Sequence, residues 1–173
     1  KGFSPGAEGA PADNDAVGYW GDRSGNGNFA TPYLASNSRK PVFKATGFNG
    51  MPSLQFDGGT DIMEVQNPNA FDQWDALTVF IVFEGNTVGT SKALIAKNGD
   101  DDQGWQLRKN GSNNNSMISA LRGTSGADER SFNSQINQQN VFALTYGGGT
   151  RAFFSNGTQQ DGIDDSVMLD GEF

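Results

Sequence analysis

Leu77-Thr-Val-Phe-Ile-Val-Phe83 is the stretch that decides the fold, because nearly every residue in it is apolar, β-branched or aromatic. Such residues favour extended chain, and the run is too short for an ordinary helix. Asp75 stands before it and Gly85 after it, so residues typical of turns bound the segment on both sides. We therefore predict a strand that is central in its sheet and buried on both faces.

Shorter apolar runs recur at intervals of about ten residues, separated by clusters of Gly, Asn and Asp. Asn-Gly pairs at Asn110 and Asn156 predict hairpins, because both central residues of that turn adopt positive φ. Apolar residues at helical spacing are not sustained anywhere, so we expect almost no helix. The pattern predicts an all-β protein folded as an antiparallel two-sheet β-sandwich. Further strands are predicted at Ser53–Phe56, Asp61–Val65, Ala93–Lys97, Gly104–Arg108, Met117–Arg122, Val141–Tyr146, Arg151–Ser155 and Ser166–Leu169.

The composition excludes several classes of function. Among 173 residues there is neither a Cys nor a His, so thiol proteases, Ser-His-Asp hydrolases, zinc fingers and disulfide scaffolds are ruled out. The formal net charge of −8 opposes binding to nucleic acid, and no apolar run is long enough for membrane insertion. Residues 1–17 are predicted to be a linker or an N-terminal arm, and residues 18–173 a single sandwich domain.

Three phrases, in this order, resemble the laminin G-like branch of the concanavalin A-like lectin/glucanase superfamily. They are Tyr19-Trp-Gly-Asp-Arg-Ser-Gly-Asn-Gly-Asn-Phe-Ala30, Pro52-Ser-Leu-Gln-Phe-Asp-Gly-Gly-Thr-Asp-Ile-Met-Glu-Val65 and Leu77–Phe83. The resemblance implies a jelly roll in which the second phrase forms a hairpin. The closing strand of the family has no counterpart before Phe173. We therefore expect either a truncated segment or a sheet edge that another domain or chain completes.

The first phrase also suggests a calcium site. Oxygen-bearing side chains alternate at Asp22, Ser24 and Asn26, and Asn28 adds a backbone carbonyl, as in the first half of an EF-hand loop. The bidentate Glu of such a loop is missing, so Asp57 and Asp61 would have to supply carboxylates. The alternative is a polar turn held by hydrogen bonds from Asp and Asn side chains.

Ligand contacts are expected in loops, where a rigid sandwich displays polar and aromatic groups. The candidates are Trp74, Asp100, Asp101, Asp102 and Arg122, with a solvated hairpin tip as the alternative for the acidic run.

The family's glycosidases carry an E-x-D-x-x-E pattern, and no Glu of this chain begins one. The resemblance thus implies a non-catalytic module of an exported or cell-surface protein that binds a glycan or another surface polymer. A structural or assembly module without a sugar ligand is the alternative, and an unrecognised glycan-cleaving enzyme is a third possibility.

Overall fold

The computed structural model describes residues 2–3, 11–67, 71, 76–85, 91–98, 104–109, 116–123, 126–133, 138–147, 150–160 and 163–164. The chain divides into two compact units, Lys1–Ala70 and Phe71–Phe173. Strands in several antiparallel sheets make up most of the described chain, with almost no helix, which confirms the all-β prediction. Within these ranges, no helix has the length and apolar character needed to cross a membrane.

The first unit contains two small sheets. One has the order β1-β2-β3-β6, in which only the β1–β2 pair is parallel, and the other is the β4–β5 pair. Two 3-10 helices follow β3, at Tyr33–Ala35 and Asn37–Arg39. The strands are β1 Gly2–Phe3, β2 Tyr19–Trp20, β3 Ala30–Pro32, β4 Val42–Phe48, β5 Met51–Gln55 and β6 Met63–Val65.

Residues 11–17 lie alongside the start of β4. The N–H of Asn14 donates to the carbonyl of Phe43 at 2.8 Å, and the N–H of Phe43 donates to the carbonyl of Asp15 at 2.9 Å. Val17 and Phe43 are both buried, so this polar segment carries one anchoring apolar residue into the first unit. The domain boundaries drawn from composition stay a prediction.

The second family phrase does not form a hairpin. Its first strand, β5, pairs with β4, whereas its second strand, β6, pairs with β3 in the other sheet. The turn that joins β4 to β5 is Asn49-Gly50, with φ values of 49° and 74°. This Asn-Gly pair carries the same signal as the two that predicted hairpins, and it sets the partner of β5.

The second unit contains two larger sheets. Their orders are β11-β10-β9-β8 and β14-β13-β12-β7, and β15 also pairs with β13. The strands are β7 Ala76–Phe83, β8 Lys92–Asn98, β9 Gly104–Lys109, β10 Ser116–Gly123, β11 Gly126–Asn133, β12 Asn140–Gly147, β13 Thr150–Ser155, β14 Thr158–Gln159 and β15 Ile163–Asp164.

Alternate residues of these strands form one hydrophobic core that draws on both sheets. The ring of Phe142 lies 5.1 Å from that of Phe83 and 5.5 Å from that of Phe153, between centroids. Burial of such side chains is the main stabilising contribution to a fold of this size. The buried members are Leu77, Trp105, Leu107, Met117, Phe142, Leu144, Tyr146 and Phe153.

The prediction that β7 is a central strand buried on both faces is wrong. β7 is the last strand of its sheet and pairs, among the described strands, with β12 alone. Leu77 is buried and Val79 packs against the core, whereas Phe80 is 73% exposed and Val82 57% exposed. One face of an apolar run is therefore inside and the other outside, since successive side chains of a strand point to opposite faces.

Asn156-Gly157 forms the predicted hairpin turn. The φ values are 50° and 79°, and β13 pairs with β14 across the turn, which confirms the prediction. Asn110-Gly111 and the predicted strand Ser166–Leu169 lie outside the described residues. The sequence pattern did not predict β11, whose residues lack an apolar alternation.

Truncation of Phe142 tests where the core lies. Phe142→Ala removes a ring with no exposed surface and leaves a cavity, so we expect unfolding to become easier by about 3–5 kcal/mol. Phe80→Ala, on the exposed face of β7, is the matched control and should change the unfolding free energy by about 0.5 kcal/mol or less. Urea unfolding followed by circular dichroism measures both, and equal losses would contradict this assignment of the core.

Candidate functional site

Asp22 organises the turn that was predicted to hold calcium. Its Oδ1 accepts the N–H of Ser24 at 2.7 Å, and its Oδ2 accepts the Ser24 hydroxyl at 2.7 Å and the N–H of Asn28 at 2.9 Å. The hydroxyl of Ser24 in turn accepts the N–H of Asn26 at 3.2 Å. The Ser24 hydroxyl, with the backbone N–H groups of Ser24 and Asn28, lowers the pKa of the Asp22 carboxyl.

Asp57 organises a second turn in the same way. Its Oδ1 accepts the N–H groups of Gly59 at 2.7 Å, Thr60 at 2.8 Å and Asp61 at 3.0 Å. In return, the N–H of Asp57 donates to Oδ2 of Asp61 at 2.7 Å. The Asp61 and Gly59 N–H groups hold the pKa of the Asp57 carboxyl well below its usual range.

These contacts show how the proposed calcium ligands are used. The structure brings Asp22 together with Ser24, and Asp57 together with Asp61, in two turns whose carboxylates accept hydrogen bonds from their own loops. In the part of the chain that the structure describes, acidic residues do not gather in groups of three or more that could hold a metal ion. Calcium binding at Asp22, Ser24, Asn26, Asn28, Asp57 and Asp61 stays a prediction.

The predicted ligand-binding residues are only partly placed. Trp74, Asp100, Asp101 and Asp102 lie outside the described residues. Arg122 lies in β10, where the register pairs it with Gly104 at the start of β9. β8 and β9, which flank the acidic run in sequence, pair Asn98 with Gly104. The backbone of Arg122 therefore lies at the sheet end where the acidic run leaves β8 and enters β9.

The five outer strands described in the second unit differ in how their edges are protected. β8 carries Lys92 and Lys97 and a register shift, β11 contains Asp128, Glu129 and Arg130 in its sequence, and β14 and β15 have only two residues each. Charges, bulges and short length are the usual means of preventing an edge strand from pairing with another chain. β7 has none of them. It has eight residues, no charge, no Gly or Pro, and an unbroken register with β12.

Hydrogen bonds with Asn156 show in which direction the backbone N–H and C=O groups of β12 point. The N–H of Val141 donates to Oδ1 of Asn156 at 2.8 Å, and the N–H of Asn156 donates to the carbonyl of Val141 at 2.8 Å. The backbone groups of Val141 therefore face away from β7. The directions of the backbone N–H and C=O groups alternate from residue to residue along an antiparallel strand. The backbone groups of the next residue, Phe142, therefore point to β7 and hydrogen-bond with those of its register partner Ile81.

The same alternation gives the directions of the backbone N–H and C=O groups of β7. Since the backbone groups of Ile81 point to β12, those of its neighbours Phe80 and Val82 point to the open edge, as do those of Thr78. The residues with outward backbone groups also have exposed side chains. β7 thus presents a row of N–H and C=O groups flanked by apolar side chains.

The exposed side chains of β7 continue onto the neighbouring strands. Val82 pairs with Val141, which is 46% exposed, while Phe80 pairs with Ala143 and Ala143 with Phe154. Residues directly opposite each other in a sheet share a face. We call these five residues, Phe80, Val82, Val141, Ala143 and Phe154, the outer apolar face.

No protein-family model, curated protein or solved structure matches this chain. The likeness to laminin G-like proteins therefore rests on the quoted phrases.

Sequence reasoning missed the β7 edge as a site. It treated Leu77–Phe83 as core because hydrophobicity alone does not say which strand lies last in a sheet. One signal was present. Glu84 and Asp75 bracket an uncharged run, whereas the runs of β8 and β11 contain charges of their own.

The Asp57 turn makes stability depend on pH. Folding lowers the pKa of the Asp57 carboxyl, so the ionised carboxylate contributes to the free energy of unfolding. This contribution is complete above about pH 4 and is lost as the pH falls toward the folded-state pKa. We expect Asp57→Asn to lower the urea midpoint at pH 6, and the difference from wild type to narrow by about pH 2.5. Glu64→Gln, at an exposed acid of β6, controls for the lost charge. A difference that does not vary with pH would contradict the prediction.

Amide exchange tests the open edge directly. The N–H groups of Phe80 and Val82 point outward and should exchange rapidly. The exchange rates of the Val79 and Ile81 N–H groups should be at least about a hundredfold lower. Residue-resolved hydrogen exchange by NMR measures the alternation within one strand, so each slow amide is the control for its neighbour. Uniform protection along β7 would show that its edge is already paired.

Proposed function

We propose that this chain is a non-catalytic interaction module that binds a partner polypeptide by strand addition to the open edge of β7. The observation that carries the proposal is the contrast among the five outer strands that the structure describes in the second unit. Four of them have charges, a register shift or a length of only two residues, and among these described strands β7 has none of these features. An edge that is long, flat and apolar is an aggregation hazard unless a partner covers it.

The chemistry of the edge suits this function. In strand addition, main-chain hydrogen bonds supply affinity, and alternate side chains supply specificity. Thr78, Phe80 and Val82 each present one donor and one acceptor outward, and a typical protein hydrogen bond contributes about 0.5–1.5 kcal/mol net. An added strand would also cover Phe80 and Val82, whose apolar surface now faces water.

The remaining parts of the proposal rest on the sequence. We propose that the module is part of an exported or cell-surface protein, and that its sheets pack as a jelly-roll sandwich. The two sheets of the second unit share one hydrophobic core, which supports that packing. The lack of His and Cys and of a paired-Glu motif supports a role in recognition rather than turnover.

A carbohydrate-binding function is the second candidate. The observation that favours it is the register of β10, which brings the backbone of Arg122 to the sheet end from which the Asp100–Asp102 segment departs. Arg and Asp are side chains that hydrogen-bond sugar hydroxyls. Calcium at the Asp22 and Asp57 turns would be an additional ligand of the module, and strand addition does not require it.

Peptide selection tests strand addition. A random peptide library is selected on the immobilised chain, and the enriched peptides are measured against two variants. Val82→Pro removes an outward N–H at a position where an edge strand tolerates proline, so we expect at least about tenfold weaker binding. Val141→Thr changes the outer apolar face on β12 but leaves the β7 edge intact, and binding should stay within about threefold.

Two results would contradict the proposed function of binding a partner by strand addition. One is equal binding of the enriched peptides to wild type and Val82→Pro. The other is an absence of enriched peptides together with binding to a glycan array that Val82→Pro leaves unchanged and Arg122→Ala abolishes. The array is read with and without EDTA, so the same experiment reports whether a divalent cation takes part.

A further inference from the structure

We infer that the strand added to β7 comes from another protein and is a segment of about seven or eight residues, apolar on both faces and carrying Lys or Arg at both ends. This inference rests on the proposed function and specifies the partner. Its length follows from β7, since Ala76–Phe83 sets how many residues can pair along the edge.

Both faces of the added strand would meet apolar side chains. On the inner side, the strand lies beside Val79 and Ile81, which pack against the core while remaining partly exposed. On the other side, it lies beside Phe80 and Val82 of the outer apolar face. Cross-strand pairs of β-branched and aromatic residues stabilise a sheet, so apolar residues are favoured at every central position. A strand with one polar face would leave one of these rows uncovered.

The ends of the strand meet a different environment. β7 itself is uncharged, but the exposed Glu84 follows it directly and Asp75 precedes it in the sequence. The whole chain has a formal net charge of −8. Opposite charges across adjacent strands stabilise pairing and speed association, so positively charged residues are favoured at both ends of the added strand.

The same charges oppose a second copy of this chain as the occupant. A two-fold antiparallel pairing centred on Phe80 sets Thr78 opposite Val82 of the other copy, and Ala76 opposite Glu84. A Glu84 carboxylate lies at each end of such a dimer, and two chains of charge −8 repel each other at long range.

Designed peptides test the inference by fluorescence anisotropy. The probe is fluorescein-labelled Lys-Lys-Ile-Val-Ile-Val-Phe-Val-Ile-Lys-Lys, and the matched control replaces every Lys with Glu. We expect the Lys-ended peptide to bind the chain at least about tenfold more tightly at 0.15 M NaCl, with the difference shrinking at about 0.5 M. Glu84→Lys should reduce the preference, and Gln159→Lys, on β14 at the opposite side of the sheet, should leave it unchanged.

Val82→Pro should weaken binding of the Lys-ended peptide by at least about tenfold. Thr78→Pro, whose N–H faces the same way, replaces it if Val82→Pro fails to fold by circular dichroism.

The outcomes separate the inference from the proposed function. Equal binding of the Lys-ended and Glu-ended peptides would overturn the charge requirement, and enriched library peptides without basic ends would do the same while leaving strand addition intact. If light scattering detects a dimer of the wild type and only a monomer of Val82→Pro, a second copy of this chain occupies the β7 edge. That result would overturn the inference. Binding of the Lys-ended peptide that Val82→Pro does not weaken would overturn both, because the edge would then not be the binding element.

Discussion

The alternation of side chains along β7 is the constraint on which the second unit depends. Leu77 and its alternate neighbours pack against Phe142 and the other rings of β12 and β13, and this packing joins two sheets in one core. The geometry of a strand sends the intervening residues to the opposite face whatever their hydrophobicity. Because those residues are also apolar, the contact that builds the core leaves Phe80 and Val82 exposed outside it.

Position in the sheet adds exposed backbone groups to these exposed side chains. A central strand with two apolar faces would need a second layer above it, but its backbone groups would already be paired. β7 lies at the end of its sheet, so among the described residues it has both exposed side chains on one face and a row of backbone groups without a strand partner. The charges and register shift of β8 and the small size of β14 show how the same unit protects other edges.

The polar turns of the first unit follow a different principle. Asp22 and Asp57 each fold their own loop by accepting N–H donors from the next few residues, and Gly25 and Gly27 supply the positive φ values that the Asp22 turn needs. A carboxylate with several backbone donors stabilises a turn without a cation. Oxygen-rich spacing therefore fits both a turn and a calcium loop, and the spacing alone does not distinguish them.

Local chemistry let the sequence predict much of this protein. Short apolar runs predicted β8, β9, β10, β12 and β13 within one or two residues, and Asn156-Gly157 predicted its hairpin because few other residue pairs adopt two positive φ values. The polar strand β11 was missed because it is held by its pairing with β10 rather than by a pattern of its own. Strand order, the partner of β5 and the open edge of β7 depend on contacts between residues far apart in the chain. Local propensity contains no information about such contacts, so only the tertiary structure decided which apolar strand would be left with an exposed edge.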